Sequence, residues 1–424
     1  MEESEAVKKT KVLVISDHPL SPSGVGTQTK YMIEACLKTG RYEFMCFGGA
    51  MKHNDYTPVK VDKWEDNWII YPVDGYGNHD MIRGALATFQ PDIVWFMTDP
   101  RFFGWLWEIE NEIRAVAPMV YYHVWDNYPY PNFNKVWYES CDRVAAISKL
   151  TYDIVKNVSP EVDCEYLPHA VDQTIFKPLP EVFYKDIVDN IVPSLKDRFV
   201  FFWNNRNARR KQSGSLLFWF NEFAKKVGKD KVGLLMHTNP QDMHGQDLNA
   251  IIHNLGLTNG EVVFSTSPVD SNVLAQLYNY ADCTINISDA EGFGLATLES
   301  LACGTPIIVN MTGGLQEQVT DGENWFGIGL EPSSKAVIGS QEVPWIYEDR
   351  LDEDKVVEAM LTMYNMSKEE RDQLGQAGLE HVNKNYSFEN YEEKWVNFLD
   401  ETHEKYGSWN NRKGYKVWHL KEIA

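Results

Sequence analysis

Two carboxylates and a cluster of cations are the groups of this chain best suited to chemistry. Glu291 and Glu299 bracket the run Glu-Gly-Phe-Gly-Leu-Ala-Thr-Leu-Glu, and Glu291 opens a glycine turn, Glu291-Gly292-Phe293-Gly294. Glu299 falls four residues after Leu295 and three before Ala302, so on a helix it projects from the edge of an apolar face. A carboxylate there is costly to desolvate unless something binds it. Singly, each acid reads better as a solvated surface group, since structural acids outnumber functional ones. Together with the turn between them and Gly304-Thr305-Pro306 behind them, they read as one ligand-facing unit. The cations are Arg206, Arg209, Arg210 and Lys211, four charges within six residues after an apolar run. Such a loop suits an anion. When a bond to phosphate breaks, negative charge grows on the leaving oxygen, and fixed cations stabilise it. A solvated basic loop is the plain alternative.

These groups need elements that hold them at one edge. Residues 284–287 read as a buried strand, and Leu295, Leu298, Leu301 and Ala302 recur at helical spacing. Gly304 sits where a helix end calls for positive φ, Pro306 forbids continuation, and 305–309 supplies the next strand. Two strands joined by a helix lie parallel in a sheet covered on both faces, and ligands bind beyond the strands' carboxyl ends. The cations follow a strand over 199–203, with further strands at 232–237 and 262–265 and helices at 248–255 and 272–281. In the first half, strands at 11–16, 92–97, 119–123 and 143–148 alternate with helices at 31–37, 103–116 and from Thr151. Residues 17–28 read as a loop holding Gly24 and Gly26. The second half closes with an insertion at 333–349, helices from Asp354 and Lys368, and a last helix over 391–402. The expected fold class is α/β with doubly wound parallel sheets.

Composition bounds the partners. The chain has 424 residues, 43% of them hydrophobic, and a net charge of −21, which repels nucleic acid and anionic lipid at long range. No window approaches the ~20 apolar residues of a membrane span, and the opening MEESEAVKKTK has no apolar core of a signal peptide. The helix expected over 103–116 has an acidic polar side, unlike basic interfacial helices. Six scattered cysteines form no Cys-x-x-Cys pair, which argues against a disulfide framework or zinc site and for a reduced, cytoplasmic protein. The basic, aromatic segment 412–421 reads as a solvated extension. A dinucleotide-binding turn fits poorly, because Gly24-x-Gly26-x-x-Thr29 lacks the third glycine.

The run from Glu291 to Glu299, followed by Ser-Leu-Ala-Cys-Gly-Thr-Pro-Ile-Ile, closely resembles the signature of retaining glycosyltransferases of family four, which have the GT-B fold. The resemblance implies two Rossmann-like domains facing a central cleft. Residues 1–178 would form the acceptor side, with 388–424 packing back on it, and 179–387 would bind a nucleotide-sugar donor. Glu291 would contact donor-sugar hydroxyls and Glu299 the ribose, with Gly292, Phe293, Gly294 and Leu295 lining the donor. Arg206 and Lys211, five apart, match the family's Gly-Arg-x4-Lys pattern on the diphosphate, with Asn205 in place of the glycine. Gly24 and Gly26 would approach the phosphates, Ser265 and Pro268 would cradle the base, residues 312–315 would lie near the distal phosphate or sugar, and His123 would contact the sugar near its anomeric centre. Residues 167–172 resemble the segment that ends the first domain, with Ala170 replacing a usual glycine.

The aromatic residues Trp125, Tyr128 and Tyr130 stack on an acceptor or pack their own loop; the residues leave both readings open. No cofactor or metal is implied, since Arg206 and Lys211 would do a divalent ion's work on the nucleotide-diphosphate co-substrate. Acceptors in view are a saccharide, a lipid-linked precursor or a small molecule, with hydroxymethylated pyrimidines in DNA as an alternative. A catalytically silent nucleotide-sugar-binding protein is the rival from another class, and a dinucleotide-dependent oxidoreductase stands further off.

Overall fold

The apolar runs become the strands of two mainly parallel sheets in a computed structural model that describes residues 8–418. Contacts divide the chain into two units, one running to His169 and resuming at Glu389, the other spanning Ala170–Phe388. In the first unit the strands are β1 (Thr10–Asp17), β2 (Tyr42–Gly49), β3 (Val59–Val61), β4 (Glu65–Pro72), β5 (Ile93–Met97), β6 (Met119–His123), β7 (Arg143–Ala146) and β8 (Cys164–Tyr166). Their order is β3-β4-β2-β1-β5-β6-β7-β8, parallel throughout except for β3 against β4. Val12, Leu13, Val14 and Ile15 of central β1 are all fully buried, as a strand covered on both faces requires.

The second unit holds β9 (Phe199–Asn204), β10 (Val232–His237), β11 (Val262–Ser265), β12 (Cys283–Asn286), β13 (Ile307–Asn310) and β14 (Gly327–Leu330) in the parallel order β11-β10-β9-β12-β13-β14. Its core packs Phe201, Trp203, Ile285 and Ile308 against Leu216, Phe220 and Phe223 of the helix Ser213–Val227 and Met360 and Met363 of Glu353–Asn365. The expected insertion is an antiparallel hairpin of β15 (Ser334–Ile338) and β16 (Ile346–Arg350).

Four expectations need correction. The first helix is Gly24–Lys38, starting seven residues earlier than periodicity indicates. Ser23 caps it by accepting from Gly26 N at 2.9 Å, which outweighs the poor helix propensity of two glycines. The stretch 103–116 holds two short helices, Gly104–Trp107 and Glu110–Arg114, interrupted at Glu108-Ile109. The final helix is longer than expected, Phe388–Tyr406, and its Trp395 packs edge-on against Trp95 and Tyr122 of the first unit's sheet.

The tail is not simply solvated. Arg412 is almost enclosed and pairs with Asp142 at 2.6 Å, Tyr415 lies over Arg114, and Trp418 N donates to Asn111 Oδ1 at 3.2 Å. Residues 419–421 of that segment lie outside the described residues. Among the described residues, no helix is long and apolar enough to cross a membrane.

Candidate active site

The two chemical clusters meet because β9 and β12 are neighbours in the second unit's sheet. Each strand delivers its loop to the same carboxyl edge. After β9, Arg209–Lys211 make one tight helical turn, and after β12 the chain runs Ser288-Asp289-Ala290-Glu291. The loops are sewn together by main chain and side chain: Asp289 N donates to Arg210 O at 2.8 Å, and Arg210 Nη1 donates to Ala290 O at 2.5 Å.

Lys211 Nζ then donates to Glu291 Oε2, and Ser288 Oγ donates to the same oxygen at 3.3 Å. Lys211 and Glu291 are only 8% and 9% exposed, so this ion pair sits in a low-dielectric pocket. Burial pushes the Glu291 carboxyl up, but the Lys211 ammonium and the Arg210 guanidinium outweigh it and hold the group below the usual glutamate range.

The glycine turn is locked from behind. Gly294 lies at φ +91°, and a Cβ at Gly313, φ +51°, would fall 1.8 Å from Glu291 O. Gly314 N donates to that same carbonyl at 3.0 Å. Gln318 Nε2 donates to Phe293 O at 2.6 Å and to Gly294 O at 3.1 Å, while its Oε1 accepts from Thr297 Oγ1 at 2.6 Å. Sequence reasoning passed over Gln318, because a glutamine on a short helix carries no periodic signal. Leu295, the first residue of the helix Leu295–Ala302, stays partly exposed at the site.

Glu299 projects from that helix and accepts from Tyr278 Oη at 2.8 Å, and Tyr278 Oη accepts in turn from Asn204 Nδ2 at 2.9 Å. Burial pushes the Glu299 carboxyl up to about 7, against a lowering by the tyrosine bond. A carboxyl raised by burial in this way marks a candidate ligand site. Tyr278, the bridge from Glu299 to the end of β9, was also missed from sequence. Its spacing on the helix Ser271–Tyr280 is that of any core aromatic.

The cation loop differs from an open anion site, because each of its four charges has a protein partner. Arg206 is exposed and pairs with Asp242 at 2.7 Å, with His244 Nδ1 also 2.7 Å from its Nη2. Arg209 makes two bonds to Glu348, Arg210 takes the Ala290 carbonyl, and Lys211 takes Glu291. Ser265 Oγ lies 2.9 Å from His237 Nδ1 at the ends of β11 and β10, and Pro268 is exposed in the following loop.

The remaining candidates belong to the first unit. Gly26 is tightly enclosed, since a Cβ there would come within 2.6 Å of His18 O and Ser21 Oγ, and Gly24 opens the helix capped by Ser23. Ser23 Oγ also donates to Asp17 Oδ2 at 2.7 Å, which orders the loop at the end of β1. His123 is a fully buried core residue: Nε2 lies 2.7 Å from Tyr138 Oη, and the ring stands 4.8 Å from that of Tyr121. Burial pushes its pKa down to about 3, so the ring is neutral. Trp125 is buried and donates from Nε1 to Asn127 O at 2.8 Å, while Tyr128 and Tyr130 both donate to Asp153 Oδ2, at 3.0 and 3.1 Å.

The fold these sheets form is that of the GT-B glycosyltransferases. Sucrose-phosphate synthase from Thermosynechococcus elongatus superposes with a TM-score of 0.73 over 94% of this chain and 100% of its own, at 16% identity. The Anabaena HepE protein, in complex with UDP and glucose, superposes at 0.69 over 92% of this chain and 100% of its own, at 15% identity. Within that fold, residues 244–380, which carry both glutamates, match the family described as glycosyl transferases group 1. That match spans 137 of the chain's 424 residues. D-inositol 3-phosphate glycosyltransferase 2 of Catenulispora acidiphila is 39% identical over 100 residues, and its counterpart in Acidothermus cellulolyticus 34% over 136. These matches span 23% and 29% of this chain and 23% and 30% of the relatives.

Proposed function

We propose that this protein transfers a sugar from a nucleotide-diphosphate donor to an acceptor hydroxyl, with retention at the anomeric carbon and without a metal. The observation that carries the reading is the buried Lys211–Glu291 pair beside a glycine turn of the segment that matches the group 1 family. Glu291 would orient donor-sugar hydroxyls, and Glu299 would take the ribose, exchanging a poorly solvated carboxyl for a strongly hydrogen-bonded one. As the bond from sugar to phosphate breaks, Lys211 would stabilise the charge that grows on the leaving diphosphate. A fixed ammonium there supplies the electrostatic stabilisation that a divalent ion gives in other transferases.

The acceptor is proposed to be a saccharide or another small polyol. The similar proteins support this: the sequence relatives are D-inositol 3-phosphate glycosyltransferases, and the structural neighbours include a sucrose-phosphate synthase and a protein in complex with UDP and glucose. The DNA alternative gains no support from them.

The test is a thermal-shift screen of UDP-, GDP-, ADP- and CMP-sugars on the wild type, Glu299→Ala and Lys211→Ala. A ligand that binds only the folded state raises the melting temperature. One nucleotide family should stabilise the wild type and neither variant. The stabilising donor is then turned over with candidate acceptors in EDTA, and the product anomer is read by NMR. A folded wild type that no nucleotide sugar shifts would overturn the reading.

A further inference from the structure

The hairpin β15–β16 has no part in the donor contacts proposed above, yet it is fastened to both loops that carry them. Glu348 of β16 is 2% exposed and accepts from Arg209 Nη1 at 2.8 Å and Nη2 at 2.6 Å, and from Arg350 Nη2 at 2.7 Å. Arg350 turns its other terminus to Asp289, with Nη1 2.9 Å from Oδ2. Asp289 Oδ2 also accepts from Gln212 Nε2 at 2.5 Å, next to Lys211. The backbone repeats the connection: Asp349 N donates to Asp289 O at 2.9 Å. Asn310 Nδ2, at the end of β13, reaches both Ser288 O, at 2.9 Å, and Asp349 O, at 3.0 Å, and Thr312 Oγ1 donates to Asp349 Oδ2 at 2.8 Å.

We propose that this hairpin positions the donor site: Glu348 and Arg350 act as a two-residue clamp that holds the cation loop through Arg209 and the acid loop through Asp289, and so sets the Lys211–Glu291 pair. The proposal rests on the transferase reading for its functional meaning, but the clamp itself is a property of the two loops.

Three features separate a clamp from an incidental surface contact. The carboxylate is enclosed, so its charge is compensated by the two guanidiniums that reach it, and removing it would leave both without their shared partner. The bidentate Arg209–Glu348 geometry fixes direction as well as distance, which a lysine or a single bond would not. Finally, Arg209 and Asp289 each lie two residues from the groups they would position, Lys211 and Glu291, too near in sequence for independent movement. Away from Glu348 the hairpin is more open, with Val337 65% accessible, although Val343 is buried.

The test combines amide hydrogen exchange without ligand and nucleotide-sugar affinity by calorimetry, on Glu348→Gln, Arg350→Gln and the surface control Val337→Ser. Arg350→Gln keeps the Arg209–Glu348 bonds while removing the link to Asp289 and the Arg350 bond to Glu348, so it serves if Glu348→Gln fails to fold. The clamp predicts at least tenfold faster exchange in 206–212 and 288–294 for Glu348→Gln, and in 288–294 for Arg350→Gln, with β9 and β12 unchanged. Donor affinity should fall at least tenfold in the same variants and stay within twofold of wild type in Val337→Ser. Exchange within twofold of wild type in those loops would overturn the proposal, as would looser loops with undiminished donor affinity. If the wild type binds no nucleotide sugar, the transferase reading falls by itself, and the exchange data still decide whether the clamp exists.

Discussion

Lys211→Met isolates the electrostatics of the proposed active site. The substitution removes the ammonium, keeps most of the side-chain volume, and leaves Glu291 with the Ser288 hydroxyl at 3.3 Å and the more distant charge of Arg210. Breaking a buried pair from one side typically costs about 3–5 kcal/mol, because the remaining charge is desolvated without compensation. The side chains are 10% and 12% exposed, which puts this pair in that class.

The sign with pH follows from the carboxyl. In the wild type its folded pKa lies below the ordinary value of 4.5, so the stability it contributes is present above that value and is lost as pH falls through the lower folded one. In the variant, burial acts with little opposition and the folded pKa rises. The carboxyl then escapes its penalty by protonation at low pH but not at high pH, at about 1.4 kcal/mol per pKa unit. The gap between wild type and variant should therefore widen from pH 5 to pH 7.5 and reach about 3 kcal/mol. Urea unfolding followed by tryptophan fluorescence at several pH values measures it. The double variant Lys211→Met/Glu291→Gln should recover at least half the loss at pH 7.5. A gap under about 1 kcal/mol, or one independent of pH, would refute the buried-pair argument.

Glu299→Gln tests the opposite sign. Its carboxyl stands at about 7 against an ordinary 4.5, so the wild type loses stability as pH rises through that window. The variant should flatten the melting-temperature profile between pH 5 and 8 and gain up to about 3 kcal/mol at the upper end, while losing any nucleotide-dependent shift. Gly313→Ala forces a Cβ to within 1.8 Å of the Glu291 carbonyl at a left-handed φ. Urea unfolding should show a loss of about 2 kcal/mol or more, with donor binding lost as the turn is displaced. Arg143 joins Glu165 at 2.6 Å and Glu401 at 3.0 Å and lies over the Phe398 ring. Arg143→Ala should loosen the helix Phe388–Tyr406 from the first unit's sheet, read as faster tryptic cleavage at Lys394 and Lys405.

What the sequence determined by itself was local. The strand, glycine turn and helix around Glu291 were legible because each depends on neighbours a few residues away: apolar runs for strands, spacing of three and four for Leu295, Leu298 and Leu301, a glycine at positive φ for the end at Gly304. Elsewhere, strands β2 and β4 escaped notice, since Glu43 and the paired glycines Gly48-Gly49 interrupt the apolar run of the first and Glu65-Asp66-Asn67 opens the second. The four cations were legible as a cluster but not as a set of bonds. Only the tertiary structure decided that Lys211 faces an acid 80 residues away and that Arg209 faces one 139 residues away in a hairpin that read as an unexplained insertion. Likewise it decided that His123 is enclosed by Tyr121 and Tyr138, and that Arg412 is buried on Asp142. The reason is physical: the chain's own periodicity states which face of an element is apolar, but a charge finds its partner through sheet order, which sequence spacing does not encode.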